Sequence, residues 1–555
     1  MTKLINLLFA LSVAFANEVN AFNIPKQSVH RGDVNPVSHS KRGYVGLDFT
    51  KTYGDSFDGS NSDNKPEFYL RKRNDGYESI EITNQLTFYS VSLEIGTPAQ
   101  NITVLVDTGS SDLWVSNSDN PYCQNNYNPN SGISYTNTID CEEYGTFDPS
   151  ASSSWSSNST TFNINYGDTT FARGVWGQDR LHLEDLNVTG LSFAVANRSN
   201  STVGVLGIGL PGLEVTYTGS ATGRSYQYDN FPLVLKRNGA IEANVYSLYL
   251  NDSDASHGTV LFGAVDHSKY EGSLYTIPLV NTLRANGFQN PVQFDVTLQG
   301  IGMTFENGTS QKTLTTTKIP ALLDSGTTLT YLPESLVTTI AKQINASYSS
   351  RLGYYTIACP ETSKKTAAAL DGTQLVFDFG GFYINATLEH FLVRASESTC
   401  LLGILPQTAH SALLGDSFLT NAYVVYDLEN KEISMAQAKY DSDTSDIEVV
   451  SSGASSIPSA TPAPLYSQTW STSVASIGTT GNIFTVQAQN TASSGSSGAT
   501  AANSASSGSN TKTSTSSKRS SSKSTNRKNE AGIPLSTPSP MGFISIIAFY
   551  LAMLL

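Results

Sequence analysis

The chain has 555 residues, too many for one hydrophobic core, so several domains are expected. Its charge is unevenly spread: residues 74–450 hold 17 Lys and Arg against 39 Asp and Glu, a net of −22, whereas residues 1–73 come to +3 and 451–555 to +5. An acidic body of this kind excludes nucleic acid as a partner, because phosphate binding needs a basic surface.

A cationic substrate or a basic inhibitory segment suits the acidic body, although acidity serving solubility alone explains the composition equally well. Low charge content (14 %) and abundant Ser, Thr, Asn, Tyr and Gly point to a β-rich protein outside the cytoplasm. Met1–Ala21 places Lys3 before an apolar run from Leu4 to Ala16 and then small residues. It reads as a secretory signal peptide cut after Ala16 or Ala21, the latter favoured, with a retained signal anchor as the alternative. Residues 22–73 are polar, show no sustained period and end in Arg71-Lys72-Arg73. Three basic residues are commonly just a solvated run. Here β-patterning starts directly afterwards, at Tyr77–Asn84, so 22–73 is read as a propeptide released at Arg73, its Lys and Arg docking on the acidic body.

Strand signals then crowd together. Phe88–Ile95 alternates and turns at Gly96-Thr97-Pro98, and Asn101–Val106 leads into Asp107-Thr108-Gly109-Ser110. Leu113-Trp114-Val115 follows. Phe162–Tyr166 with Gly167-Asp168-Thr169-Thr170 reads as a hairpin carrying an aromatic near its tip. Leu191–Ala196 is a further strand, and Val203–Gly209 is an apolar run punctuated by Gly. The first motif recurs 217 residues on, where Ala321-Leu322-Leu323 runs into Asp324-Ser325-Gly326-Thr327. Ala412-Leu413-Leu414-Gly415 then answers Val203–Gly209. Each half thus has an apolar–Asp–hydroxyl–Gly motif and a later apolar–Gly motif, a repeat of architecture without residue identity. A lobe boundary falls around 265–290, giving lobes 74–270 and 271–450. Helical pattern is scarce, with Pro333–Asn345 the best candidate.

Four cysteines allow three connectivities; local pairing, Cys123–Cys141 and Cys359–Cys400, keeps each bridge within one lobe. No Cys or His cluster offers a metal site, and no cofactor is expected. Nine Asn-x-Ser/Thr sequons, at Asn101, Asn158, Asn187, Asn197, Asn200, Asn251, Asn307, Asn345 and Asn385, fit a secretory route. Beyond Val450 the composition collapses to Ser, Thr, Ala and Gly, read as a glycosylated stalk over 451–529. Small residues at Asn529-Glu530-Ala531, a spacer and the apolar Met541–Leu555 form the pattern of a glycosylphosphatidylinositol (GPI) signal, with Asn529 the attachment residue and 530–555 removed. A simple tail anchor is the alternative.

An Asp on a buried strand, a Gly that permits a tight turn and hydroxyls within reach of the carboxylate frame a reactive acid. Brought face to face, Asp107 and Asp324 share one proton, because two carboxylates about 3 Å apart do not both ionise easily. The charged member takes a proton from a water between them while the neutral one protonates a substrate carbonyl, and an amide is hydrolysed with no covalent intermediate. Glycosidase carboxylates stand about 5 Å or more apart and need no such frame.

Asp107-Thr108-Gly109-Ser110, Asp324-Ser325-Gly326-Thr327, Tyr166-Gly167 and Leu413-Leu414-Gly415 together resemble the pepsin-like aspartic endopeptidases over about 86–440. With the basic-ended propeptide, stalk and anchor signal, the whole precursor resembles the yapsins, fungal surface aspartic proteases. The resemblance implies an all-β bilobal fold with the active site between the lobes. It also implies a monomer that cleaves after single or paired Lys or Arg in secreted precursors and cell-wall proteins. It makes Tyr166 the flap tyrosine, Trp114 its neighbour, and Ser110 and Thr327 the outer hydroxyls; Asp168 is the candidate for pairing with a substrate cation, or simply a turn-forming Asp. Two departures stand out. Thr169 replaces the second Gly of the usual flap pattern, and the Cys123–Cys141 loop holds no Lys or Arg, so a single mature chain is expected. A catalytically silent binding module, or a structural wall protein on a stalk, is the rival reading. It leaves two framed aspartates unexplained.

Overall fold

The computed structural model describes residues 38–53 and 87–485, short internal stretches excepted, among them 167–169. Why Asp107 is carried inward is visible in its strand. Gln100–Asp107 is buried without interruption from Val104 onward, because it is a central strand. It pairs antiparallel with Thr87–Ile95 on one side and parallel with Gly204–Gly207 on the other, Val106 facing Leu206. Covered on both faces, such a strand reads as a continuous apolar run rather than an alternation. Leu113–Ser116 then returns antiparallel to Gly204–Gly207, pairing Leu113 with Leu206 and Trp114 with Val205.

The second half repeats this construction. Ile319–Leu323, wholly buried, runs parallel to Ala412–Leu414, and Thr330–Pro333 returns antiparallel to it, pairing Thr330 with Leu414. The architectural repeat is therefore a physical one: strand, Asp loop, returning strand, and a later Gly-terminated strand inserted between them.

Both halves feed a sheet that continues across the molecule. Along it the strands Tyr270–Pro278, Glu432–Ala438, Ala422–Asp427, Val245–Tyr249 and His257–Phe262 lead through Tyr44–Tyr53 to Thr87–Ile95 and the Asp107 strand. Three smaller sheets complete the C-terminal half. Its helix Glu334–Gln343 starts after Pro333 and buries Leu336, Val337, Ile340 and Ala341 on one face. The disulfides are Cys123–Cys141 and Cys359–Cys400, the local pairing.

Two expectations need correction. The stretch 22–73 docks through its backbone as well as its charges: Tyr44–Tyr53 is a strand lying between His257–Phe262 and Thr87–Ile95, with Val45 and Leu47 in the core, and its Lys51 ammonium acts on the buried Asp416. A single strand of ten residues, paired with neighbours far away in sequence, shows no long period. The stalk also does not begin at 451. Ile457 and Ile483 are buried, and Ala460–Pro462 adds a parallel strand beside Tyr270–Pro278. The Tyr466 hydroxyl accepts from the Thr297 N–H at 2.8 Å and donates to the Pro278 carbonyl at 3.1 Å. Gly380 and Gly381, both at positive φ, leave room for this tail: a Cβ on Gly380 would lie 2.5 Å from Tyr466 Cα. The packed body thus runs to residue 485. Arg73, Asn529, the signal region and the anchor region lie outside the described residues.

Candidate active site

The two Asp loops meet head to head. The Thr108 N–H donates to Ser325 Oγ at 3.1 Å and the Ser325 N–H to Thr108 Oγ1 at 3.0 Å. Each hydroxyl passes its own proton to the other lobe's backbone, Thr108 Oγ1 to Leu323 O at 3.0 Å and Ser325 Oγ to Val106 O at 2.9 Å. Four buried hydrogen bonds with two-fold symmetry lock the loops together, which is why both motifs need a hydroxyl residue directly after Asp.

Each carboxylate is held by its own loop. Asp107 accepts the Gly109 N–H on Oδ1 at 2.7 Å and the Ser110 hydroxyl on Oδ2. Asp324 accepts the Gly326 N–H on Oδ1 at 2.9 Å and the Thr327 hydroxyl on Oδ2 at 2.7 Å. The glycines serve close approach as well. A Cβ on Gly109 would lie 2.4 Å from Asp324 Oδ1, and one on Gly326 equally close to Asp107 Oδ1. Any side chain there would push the dyad apart.

Both acids are buried, Asp107 at 4 % exposure and Asp324 at 0 %. Burial first, and the Asp324 charge next, hold the Asp107 carboxyl well above the usual range; burial likewise raises Asp324. The pair titrates as a unit holding one proton, with a charged oxygen beside a protonated one. Asp416, whose oxygens are both buried without a hydrogen-bond partner, is pushed well up by burial; the Lys51 ammonium opposes the shift and the two dyad acids add to it, so it resists ionising beside them.

The Trp114 indole N–H donates to the Tyr166 hydroxyl at 2.7 Å, anchoring the hairpin arm Ser156–Asn165 over the Asp107 side. The Tyr166 N–H bonds the Thr170 carbonyl at 2.8 Å and closes the tip. Gly167 and Asp168 fall outside the described residues, so the structure leaves their placement open. Of the sequons, Asn101, Asn158, Asn187, Asn197 and Asn345 are exposed. Asn200 and Asn251 are partly buried, their side-chain oxygens accepting from the Phe171 N–H and the Tyr249 hydroxyl. Asn385 is partly buried on the strand Tyr383–Thr387, and Asn307 lies outside the described residues.

Several buried acids were missed in the sequence, and two of them stand together. Asp112 directly precedes the buried run Leu113–Ser116, and Glu214 sits in the apolar stretch Leu210–Val215. An acid embedded in apolar neighbours was the available signal.

The arrangement fits hydrolysis of an amide by water held between a charged and a neutral carboxyl, closed over by a tyrosine-bearing hairpin. Residues 88–438 match the family described as Eukaryotic aspartyl protease. The chain is 55 % identical to "Aspartic proteinase 3" of Saccharomyces cerevisiae over 87 % of its own length and 91 % of that protein. It is 50 % identical to that organism's "Aspartic proteinase MKC7" (82 % and 83 % covered) and 54 % to its "Aspartic proteinase yapsin-3" (80 % and 81 %). With its dyad, its locked loops and these relatives, the chain belongs to the eukaryotic aspartyl proteases, among the yapsin-like members, and is an aspartic endopeptidase.

Proposed function

We propose that this endopeptidase cuts on the C-terminal side of single or paired Lys or Arg residues in secreted precursors and cell-wall proteins. The observation that carries the reading is the acidity of the body as a whole, 39 acidic against 17 basic residues over 74–450. Such a surface concentrates cationic peptides and stabilises a basic side chain near the dyad. Asp168, next to the flap tyrosine Tyr166, is the proposed partner of that side chain. The enzyme travels the secretory pathway as a glycoprotein and acts as a monomer. It is held at the plasma membrane, and in part the wall, by a GPI anchor on Asn529. Residues 22–73 restrain it until cleavage at Arg73.

The test compares a secreted chain ending at residue 485 with its Asp107→Asn variant, on matched peptides carrying Lys-Arg or norleucine pairs, at pH about 4–6. The reading expects the parent alone to cleave, with the basic peptide preferred at least tenfold. Equal rates on both peptides would remove the specificity. Asp168→Thr should lower cleavage of the basic peptide more than of the other; equal losses would remove its role.

A further inference from the structure

The loop that carries Asp107 also carries Asp112, which forms with Glu214 of the segment Leu210–Val215 a second acidic pair that the dyad chemistry leaves unused. Asp112 is 1 % exposed; its Oδ2 accepts the Val215 N–H at 2.9 Å and its Oδ1 the Tyr228 hydroxyl at 2.8 Å. Glu214 is likewise 1 % exposed. Its Oε2 accepts the Tyr228 N–H at 2.9 Å, but its Oε1 is buried with no hydrogen-bond partner. The charges that act on the Glu214 carboxyl are those of Asp112 and Asp229, both negative. Of the described cations that follow it in sequence, Lys236 is engaged by Glu429 and Arg237 by the exposed Asp229 carboxylate, while Arg224 lies outside the described residues. Buried carboxyls are normally paired or fully hydrogen-bonded. Here a buried carboxyl oxygen has nothing donating to it.

Position makes the pair relevant to substrate. The segment Leu210–Val215 follows Gly204–Gly207, the parallel neighbour of the Asp107 strand. It reaches toward the other lobe: a Cβ on Gly212 would lie 2.3 Å from Val292, and the Tyr217 ring meets Phe288 edge-on at 6.1 Å. The loop therefore borders the groove between the lobes. Tyr228 also packs in the apolar cluster that holds Trp114, Phe162, Trp176 and the flap tyrosine Tyr166. Beside the acids, Val215 and Tyr226 are large apolar side chains left 40 % and 39 % exposed.

We propose that Asp112 and Glu214 form a cation-accepting subsite for a basic side chain of the peptide substrate. Glu214 Oε1 receives the ammonium or guanidinium group, while Val215 and Tyr226 flank the aliphatic stem. The chemistry matches on both counts. Lys and Arg carry donors and no acceptors, as an orphaned carboxylate oxygen requires, and their stems bury well against apolar walls. Because Oε1 is closed to solvent in this structure, the subsite is one that the substrate opens. An arriving cation favours the ionised carboxyl that burial alone opposes, in exchange for a proton. This inference rests on the reading that the enzyme prefers basic peptides, and it assigns that preference to a second place besides the flap.

The test scans Lys against norleucine at each of three positions on either side of the scissile bond, with the chain ending at 485. If the wild type shows no Lys preference anywhere, the basic-residue reading fails and takes the subsite with it. Given a preference, Glu214→Gln should lower the Lys-over-norleucine ratio of kcat/KM at least tenfold at one position, through KM, and leave the ratios at other positions in place. Ratios that stay as in the wild type at every position, whether the rates hold or fall together, overturn the subsite while leaving the specificity reading intact. Should Glu214→Gln fail to fold, Asp112→Asn is read by the same criteria.

Discussion

Raising the pH from 4 to 7 should weaken this fold, and two buried carboxyls outside the dyad give a separable part of the effect. Asp112 and Asp295 are each pushed up from 3.8 to about 6, with burial the leading cause. The hydrogen bonds from Val215 and Tyr228 to the first, and from Thr282 to the second, oppose the shift without cancelling it. Between the unfolded and folded values the native state binds more protons than the unfolded chain, so stability falls as pH rises through that window. A shift of about two units corresponds to about 3 kcal/mol per group, of which about 2 kcal/mol is lost between pH 4 and 7. Two groups together lose about 4 kcal/mol, a large part of a typical stability of about 5–15 kcal/mol. The raised Asp107, Glu214 and Asp416 act in the same direction. Urea unfolding followed by tryptophan fluorescence at pH 4, 5, 6 and 7 measures this. An Asp324→Asn background keeps unfolded chains from being digested. Adding Asp112→Asn and Asp295→Asn should remove about 4 kcal/mol of the pH dependence. Stability that holds or rises from pH 4 to 7, or the added pair retaining the full loss, would refute the reasoning.

Other outcomes follow from the site and the tail. Asp107→Asn and Asp324→Asn should each lower kcat by roughly 10³-fold or more with the fold retained, since each removes one half of the acid–base pair; steady-state rates and circular dichroism check this together. Gly109→Ala should lower kcat at least about 100-fold, because its methyl would lie 2.4 Å from Asp324 Oδ1. Tyr166→Phe leaves the buried Trp114 N–H without its acceptor, at a cost of about 1–3 kcal/mol, and should lower kcat/KM about tenfold. A chain ending at Val450 loses the seats of Ile457 and Ile483, about 1.5–3 kcal/mol each, and should melt well below one ending at 485. Thermal unfolding of the two truncations decides that point.

What could be read in advance depended on the range of the forces involved. The dyad was legible because its frame is local: a Gly N–H two residues on and a hydroxyl three residues on bind each carboxylate, and that spacing is written in four consecutive letters. The continuous apolar runs before Asp107 and Asp324 were legible for a related reason, since a strand covered on both faces cannot alternate. Asp112 and Glu214 were missed because their meaning lies in contacts about a hundred residues apart, such as the Tyr228 hydroxyl on Asp112.

The tail shows the same limit from the other side. Low-complexity composition lowers the chance that a segment builds a core of its own, but it does not prevent the segment from completing an existing one. Between 451 and 485 Ile457, Ile483, Tyr466 and a three-residue strand pack on the body, and backbone and side-chain hydrogen bonds such as Leu465 N–H to Gly380 O and Gln468 to Leu279 O join them. The tail lands in places already shaped by distant residues, Tyr466 over Gly380, Pro464 over Gly381, and Ile483 against Gly300 and Gly302. The glycines in the body, rather than the residues of the tail, record that something packs there. A Cβ at any of the four would come within 3 Å of the tail. Substituting Ala at Gly302, where the nearest atoms are those of Phe484 and Ile483, should therefore loosen the tail without touching the dyad. Faster proteolysis between 451 and 485 at unchanged kcat would be the sign of it, and loss of kcat in step with proteolysis would show that the tail also supports the catalytic lobe.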